Sequence, residues 1–245
     1  MTEITPQALL AELHKAASTA ASVVAKLDDA AVAAPSELSG WSRGHVLAHL
    51  AGIANAMARQ LEFAARGETV ELYDGGYDGR NRDIELAAGH DAARHREAVN
   101  AAFARVLAAF DALGEDGWSA PISYRNGTVF DGGLALWREL TIHTGDLGTG
   151  FGPETWNRPF CEHLFRFLEA RVPEGIKLVL QPLALPQQTL GSGGRSIAVN
   201  GMITDIAAWL AGRTPTLGSL RATEAADGVE LPELLPWPSG APAPK

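Results

Sequence analysis

Cysteine occurs once in the 245 residues, as Cys161, so an internal disulfide, a Cys-x-x-Cys redox pair and a cysteine-cluster metal site are excluded. Chemistry that needs two sulfurs must take one from another molecule. Positive charge is also scarce: 20 Lys and Arg against 29 Asp and Glu leave a net charge of −9, which repels polyphosphate and speaks against nucleic acid as the main partner. No run approaches the roughly 18 consecutive apolar residues of a membrane span. The amino end, MTEITPQALL, lacks the basic and apolar regions of a signal peptide. These absences predict a cytoplasmic protein with no membrane partner, and they strip the sequon Asn126-Gly127-Thr128 of meaning. No internal repeat is present.

What is there is apolar patterning, with 46% hydrophobic and 20% charged residues, enough for a packed core. From Pro6 to about Leu27 the residues Leu9, Leu13, Ala17, Ala20 and Val24 follow a 3.6-residue stripe, with Pro6 suited to a first turn. A second helix opens at Trp41-Ser42 and runs through Val46, Leu50, Ile53 and Met57 to Arg66-Gly67. The Gly- and Asp-rich stretch after it reads as a long loop with one short helix near Arg82 to Ala88. A third helix starts at Asp91 and stops at Gly114, and a fourth spans about Gly133 to Asp146. Four amphipathic helices in about 150 residues make a bundle whose core positions suit a metal or ligand.

After Gly152 the character changes. Pro159 to Arg171 reads as helix, 176–180 and 195–201 as strands separated by a hairpin turn at 191–194, and Met202 to Ala211 as a short helix. The glycine run at 148–152 reads as a helix stop. The expected organisation is therefore a mainly α chain, with a four-helix bundle in 1–150, a small α+β domain in 151–230 and a Pro-rich tail in 231–245 that lies over the surface.

On the fourth helix Leu136, Leu140, His143 and Leu147 share one stripe, so His143 faces the core and Glu139, one turn earlier, borders the same face. His49 falls between Val46, Leu50 and Ile53 on the buried face of the second helix. Two histidines and a carboxylate with one place left open is a common build for catalytic zinc, and i, i+4 spacing lets one helix offer two ligands. The competing reading pairs Glu139 with an arginine and leaves the histidines as satisfied core groups. His45, four residues before His49, is a rival ligand whose place near the helix start favours an outer role. Asp146 is placed to orient a ligand histidine or to cap the chain reversal. Arg80 and Arg82 in the long loop and Arg213 after Gly212 carry guanidinium forks that suit a small dicarboxylic acid.

Three segments carry a family resemblance: Gly40-Trp41-Ser42-Arg43 with Val46-Leu47-Ala48-His49, then Gly79-Arg80-Asn81, then Trp137-Arg138-Glu139 through Ile142-His143 to Asp146-Leu147-Gly148. They resemble the metal-binding bundle of the mycothiol-dependent maleylpyruvate isomerases, a branch of the DinB-like superfamily. Val199-Asn200-Gly201 and Trp209 to Arg213 are similar to the α+β domain that follows in that family. The resemblance implies a DinB-like fold with zinc, or another divalent metal, on His49, Glu139 and His143, and the thiol of mycothiol in the open place. Arg80 and Arg213 would handle a small carboxylic-acid substrate, and Arg80 and Arg82 would contact the cofactor. The implied reaction is cis–trans isomerisation of maleylpyruvate to fumarylpyruvate by reversible thiolate addition. Two alternatives stay open, an S-transferase that leaves mycothiol on another electrophile and a non-catalytic bundle module.

Overall fold

The computed structural model describes residues 4–225 and 227–238. The chain divides between Gly150 and Phe151 into two compact units.

In the first unit, helices begin where short polar side chains satisfy the free amides of a first turn. α1 (Pro6–Val24) is capped by Thr5, α2 (Asp29–Ala33) by Asp28 and α3 (Arg43–Ala64) by Ser42. α4 (Gly76–Ala88) follows, then α5 (Ala92–Asp111) capped by Asp91 and α6 (Val129–Asp146) capped by Thr128. α1, α3, α5 and α6 form the bundle, with α3 against α5 and α6, and α1 against the same two. Leu9, Leu50, Met57, Phe110, Leu136 and Leu140 are fully buried between them.

Two helices are longer than their composition suggests. α6 starts a turn before Gly133, because Thr128 and Asp131 form a reciprocal capping box. Gly132 and Gly133 sit inside it because a Cβ would lie 2.7 Å from the Met57 sulfur and 3.0 Å from a Leu9 methyl. α4 starts at Gly76 rather than near Arg82, its Gly- and Asp-rich first half being a poor helix former in isolation. Tertiary contact overrides propensity there. α4 packs along α3, and a Cβ on Gly44 of α3 would come within 2.2 Å of the Ala88 carbonyl oxygen.

The second unit contains α7 (Arg158–Leu168), β1 (Ile176–Pro182), β2 (Gln188–Leu190), β3 (Arg195–Gly201), α8 (Ile203–Leu210), β4 (Arg221–Glu224) and β5 (Asp227–Val229). The sheet order is β2-β1-β3-β4-β5. α8 covers β1 and β3 and packs on α7, burying Leu178, Leu180, Ile197 and Val199. The expected hairpin at 191–194 is corrected. β1 and β3 are parallel, with Leu178 opposite Ile197, and β2 is antiparallel to β1 on its other side. The 191–194 turn instead carries the chain across the start of β1, so closely that a Cβ on Gly193 would overlap the Gly175 carbonyl. In the tail, Leu235 donates its N–H to the Arg171 carbonyl (2.8 Å) and accepts from Arg171 Nε (2.6 Å). The remainder, 239–245, lies outside the described residues. Among the described residues no helix is long and apolar enough to cross a membrane.

Candidate metal centre

His49 is delivered by the first half of α3, whose start is set by Ser42 and His45. Ser42 Oγ accepts from the His45 backbone N–H, and His45 Nδ1 accepts from the Ser42 N–H (3.2 Å). His45 is thereby committed to the cap. Its Nε2 lies 3.5 Å from Glu85, and the Trp41 ring stacks on it with centroids 5.9 Å apart. The rival ligand is occupied in shaping the helix start.

Glu139 and His143 come from α6 and face His49 across the helix pair. Oε2 of Glu139 lies 2.8 Å from Nε2 of His49 and 3.1 Å from Nε2 of His143. The two imidazoles meet edge to face, centroids 4.6 Å apart. One donor atom from each residue lies within 4.8 Å of the others. Donors around a tetrahedral zinc, at bonds of about 2.0–2.1 Å, sit roughly 3.3 Å from one another, so the residues present fit a divalent cation. His143 Nδ1 lies 2.8 Å from Oδ2 of the buried Asp146. That contact fixes the tautomer that leaves Nε2 aimed at the site.

The protons follow from these contacts. Burial favours a neutral Glu139, yet the hydrogen bonds from His143 and His49 outweigh it and hold the carboxyl well below its ordinary range. Burial likewise opposes charge on His143, but the Asp146 and Glu139 carboxylates raise it to about 9. His49 goes the other way, lowered by burial and by the neighbouring His143 charge. In the metal-free protein near neutral pH, His143 is the charged ring and His49 the neutral one.

Arg80 reaches this site from α4. Its Nη2 lies 3.1 Å from His49 Nδ1, and its Nη1 donates to Asn81 Oδ1 (2.9 Å). Arg82, two residues on, is turned about 200° around the helix and is exposed, so α4 does not bring it to the donor set. Arg213 belongs to the second unit, where its Nη1 donates to the Ala211 carbonyl (3.0 Å).

Two neighbours escape a reading of the sequence. Tyr73, in the segment before α4, packs under Arg80 with the guanidinium 5.9 Å from its ring, and burial pushes its hydroxyl pKa upward. Arg138, beside Glu139, is buried, which lowers its pKa to about 10, with Tyr124 as a partner that opposes the shift. Neither lies in a periodic pattern. Only its place in the Trp137-Arg138-Glu139 segment offered a hint of Arg138.

Residues 13–148 match the profile of a family described as the mycothiol maleylpyruvate isomerase N-terminal domain. The chain belongs to that family. Its fold is also that of a crystal structure of the mycothiol-dependent maleylpyruvate isomerase, with a TM-score of 0.83 and 23% identity over 96% of this chain and 99% of that one. A histidine-to-alanine mutant of that enzyme aligns with a TM-score of 0.82 and 22% identity over the same shares. No curated protein matches the chain. Family and fold together agree with a mainly α bundle followed by a small α+β unit.

Proposed function

We propose that the protein is a zinc- and mycothiol-dependent isomerase converting maleylpyruvate to fumarylpyruvate. The observation that carries this reading is the His49, Glu139 and His143 donor set, three ligand atoms within 4.8 Å of one another, in a chain of the family named above. A zinc ion bound there would supply a coordination place in which a small thiol is ionised at neutral pH. With a single cysteine of its own, the chain needs that sulfur from outside.

The remaining work falls to side chains of the protein. Asp146 keeps the His143 proton on Nδ1 and so keeps Nε2 directed inward. Trp41, with its ring centroid 6.0 Å from that of His49, restricts rotation of that imidazole. Arg80 meets no carboxylate among the described residues and stands beside the donor set, so its fork is available for a substrate carboxylate. The same guanidinium stabilises negative charge that develops on the substrate during the change from cis to trans. Arg213 is assigned a second carboxylate on the sequence resemblance alone, and unchanged turnover in Arg213→Ala would remove it.

The test is to incubate purified protein with zinc, mycothiol and maleylpyruvate while following the cis acid and the trans product. Turnover that needs both metal and thiol supports the reading. A thiol conjugate accumulating on another electrophile, without isomerisation, assigns an S-transferase instead.

A further inference from the structure

The chain between α3 and α4 (65–75) forms no helix or strand, yet residues 70–74 are pinned at both ends. At one end the buried Gln60 of α3 donates from Nε2 to the Val70 carbonyl (2.5 Å), which also accepts from the Ser123 hydroxyl (2.6 Å). At the other, Asp74 pairs with Arg59 of α3 at 2.6 Å, and a Cβ on Gly79 of α4 would come within 2.0 Å of the Asp74 carbonyl oxygen. Holding an irregular segment in this way costs conformational entropy. Between the two pins stands Tyr73, whose ring packs against Arg80.

Among the described residues Arg80 has three hydrogen-bond partners, and they hold it unequally. Asn81 is exposed and rides on the same helix, so it follows Arg80 rather than fixes it. His49 Nδ1 belongs to a candidate metal ligand. Tyr73 is the third, its ring 5.9 Å from the guanidinium carbon and its hydroxyl hydrogen-bonded to the guanidinium. A guanidinium has only donors, so the phenol oxygen accepts and its own O–H remains for another acceptor. No acceptor among the described residues takes that bond. Neither Tyr73 nor Asn81 carries a charge, so they hold the fork without neutralising it.

We propose that Tyr73 is part of the substrate anchor: its oxygen and ring fix the direction of the Arg80 guanidinium, and its remaining O–H joins that fork on one substrate carboxylate. The inference rests on the reading above in which Arg80 receives an acidic substrate. A fork held in place before the substrate arrives loses less freedom on binding than one at the end of a loose stem. The phenol adds a donor for the carboxylate without placing a second positive charge beside a cation site. The pinned 70–74 segment and the missing side chain at Gly79 are what bring it there.

The experiment is calorimetric titration of the zinc-loaded protein with maleate, a cis dicarboxylate, with no thiol present, so that binding is read without reaction. The wild-type protein is expected to bind it. Tyr73→Phe keeps the ring and removes the hydroxyl, and it should weaken binding by about tenfold without loss of bound zinc. Arg80→Ala should weaken it at least as much, and Tyr77→Phe, on the exposed neighbouring ring, should leave it unchanged. Wild-type affinity in Tyr73→Phe, a loss there with none in Arg80→Ala, or no binding to the wild-type protein overturns the proposal. In turnover of maleylpyruvate, Tyr73→Phe should raise KM more than it lowers kcat. The two readings fail separately. Maleate binding that depends on Tyr73 and Arg80, in a protein that never isomerises maleylpyruvate, keeps the anchor and removes the reaction. Isomerisation with an unchanged KM in Tyr73→Phe does the reverse.

Discussion

Nη2 of Arg80 lies 3.1 Å from Nδ1 of His49, while Nε2 of the same ring lies 2.8 Å from Glu139. In this state Nδ1 accepts from the guanidinium and Nε2 donates to the carboxylate. For His49 to give its Nε2 lone pair to a cation, its proton must move to Nδ1, where it would face another donor. Arg80 therefore opposes metal loading through both its proton and its charge, and loading requires it to turn away. Arg80→Ala is expected to tighten zinc binding by about tenfold, a change of ~1.4 kcal/mol, while turnover falls. Competition against a chromophoric chelator measures the first effect. Weaker zinc binding in this variant would contradict the geometry.

Asp146 would act on a bound metal through His143, whose Nδ1 lies 2.8 Å from its Oδ2. Asp146→Asn keeps the size of the side chain but replaces the carboxylate that holds the His143 proton. Loss of such an outer partner typically costs 10–100-fold in metal affinity. The same chelator competition should report a loss in that range with little change in helical content.

The pH dependence of the metal-free protein follows from two opposite shifts. His143 is raised from its ordinary 6.5 to about 9, so its contribution to stability is complete below about pH 6.5 and is lost as pH rises through 9. His49 is lowered, so below 6.5 the unfolded chain takes up a proton that the folded chain refuses, and stability falls with pH. Together the two rings give the apo protein a stability maximum near pH 6.5. Melting curves in chelator across this range test it. A maximum that survives in a His49→Ala, His143→Ala double variant would place its origin elsewhere.

Chelation itself should lower the melting temperature, because a cation bound only by the folded form adds RT ln(1+[L]/Kd). Glu139→Gln should shrink that difference. Identical melting with and without chelator in the wild-type protein would count against the site.

In the second unit, the fully buried Asp205 accepts from the backbone N–H groups of Leu217 (3.1 Å) and Ser219 (2.8 Å) and from the Ser219 hydroxyl (2.7 Å). Asp205→Ala strands these donors. At about 1–3 kcal/mol for a buried unsatisfied group, a loss of about 2–4 kcal/mol in urea unfolding is expected.

The donor set was visible in the sequence because helical periodicity decides which side chains face inward. His49, Glu139 and His143 each stand on a strong apolar stripe. Arg80 was legible as a residue type but not as a neighbour of His49 Nδ1, since its helix is built from weak formers and held by docking against Gly44. The same limit explains the sheet. The strand runs 176–180 and 195–201 announce themselves by β-branched and apolar alternation, but their parallel pairing depends on β2, three residues long, and on a crossing that only glycines permit. Tyr73 carries no periodic signal and becomes meaningful only once Arg80 is seen over its ring.

Cys161 is wholly buried, and burial pushes its thiol up to about 12. It stays protonated at any physiological pH and out of reach of disulfides, so an oxidant cannot readily cap it or link it to a small thiol. Under oxidative stress Cys161 would remain unmodified. If the proposed thiol dependence holds, activity would fall with the thiol supply and return with reductant, with no reduction of Cys161 needed.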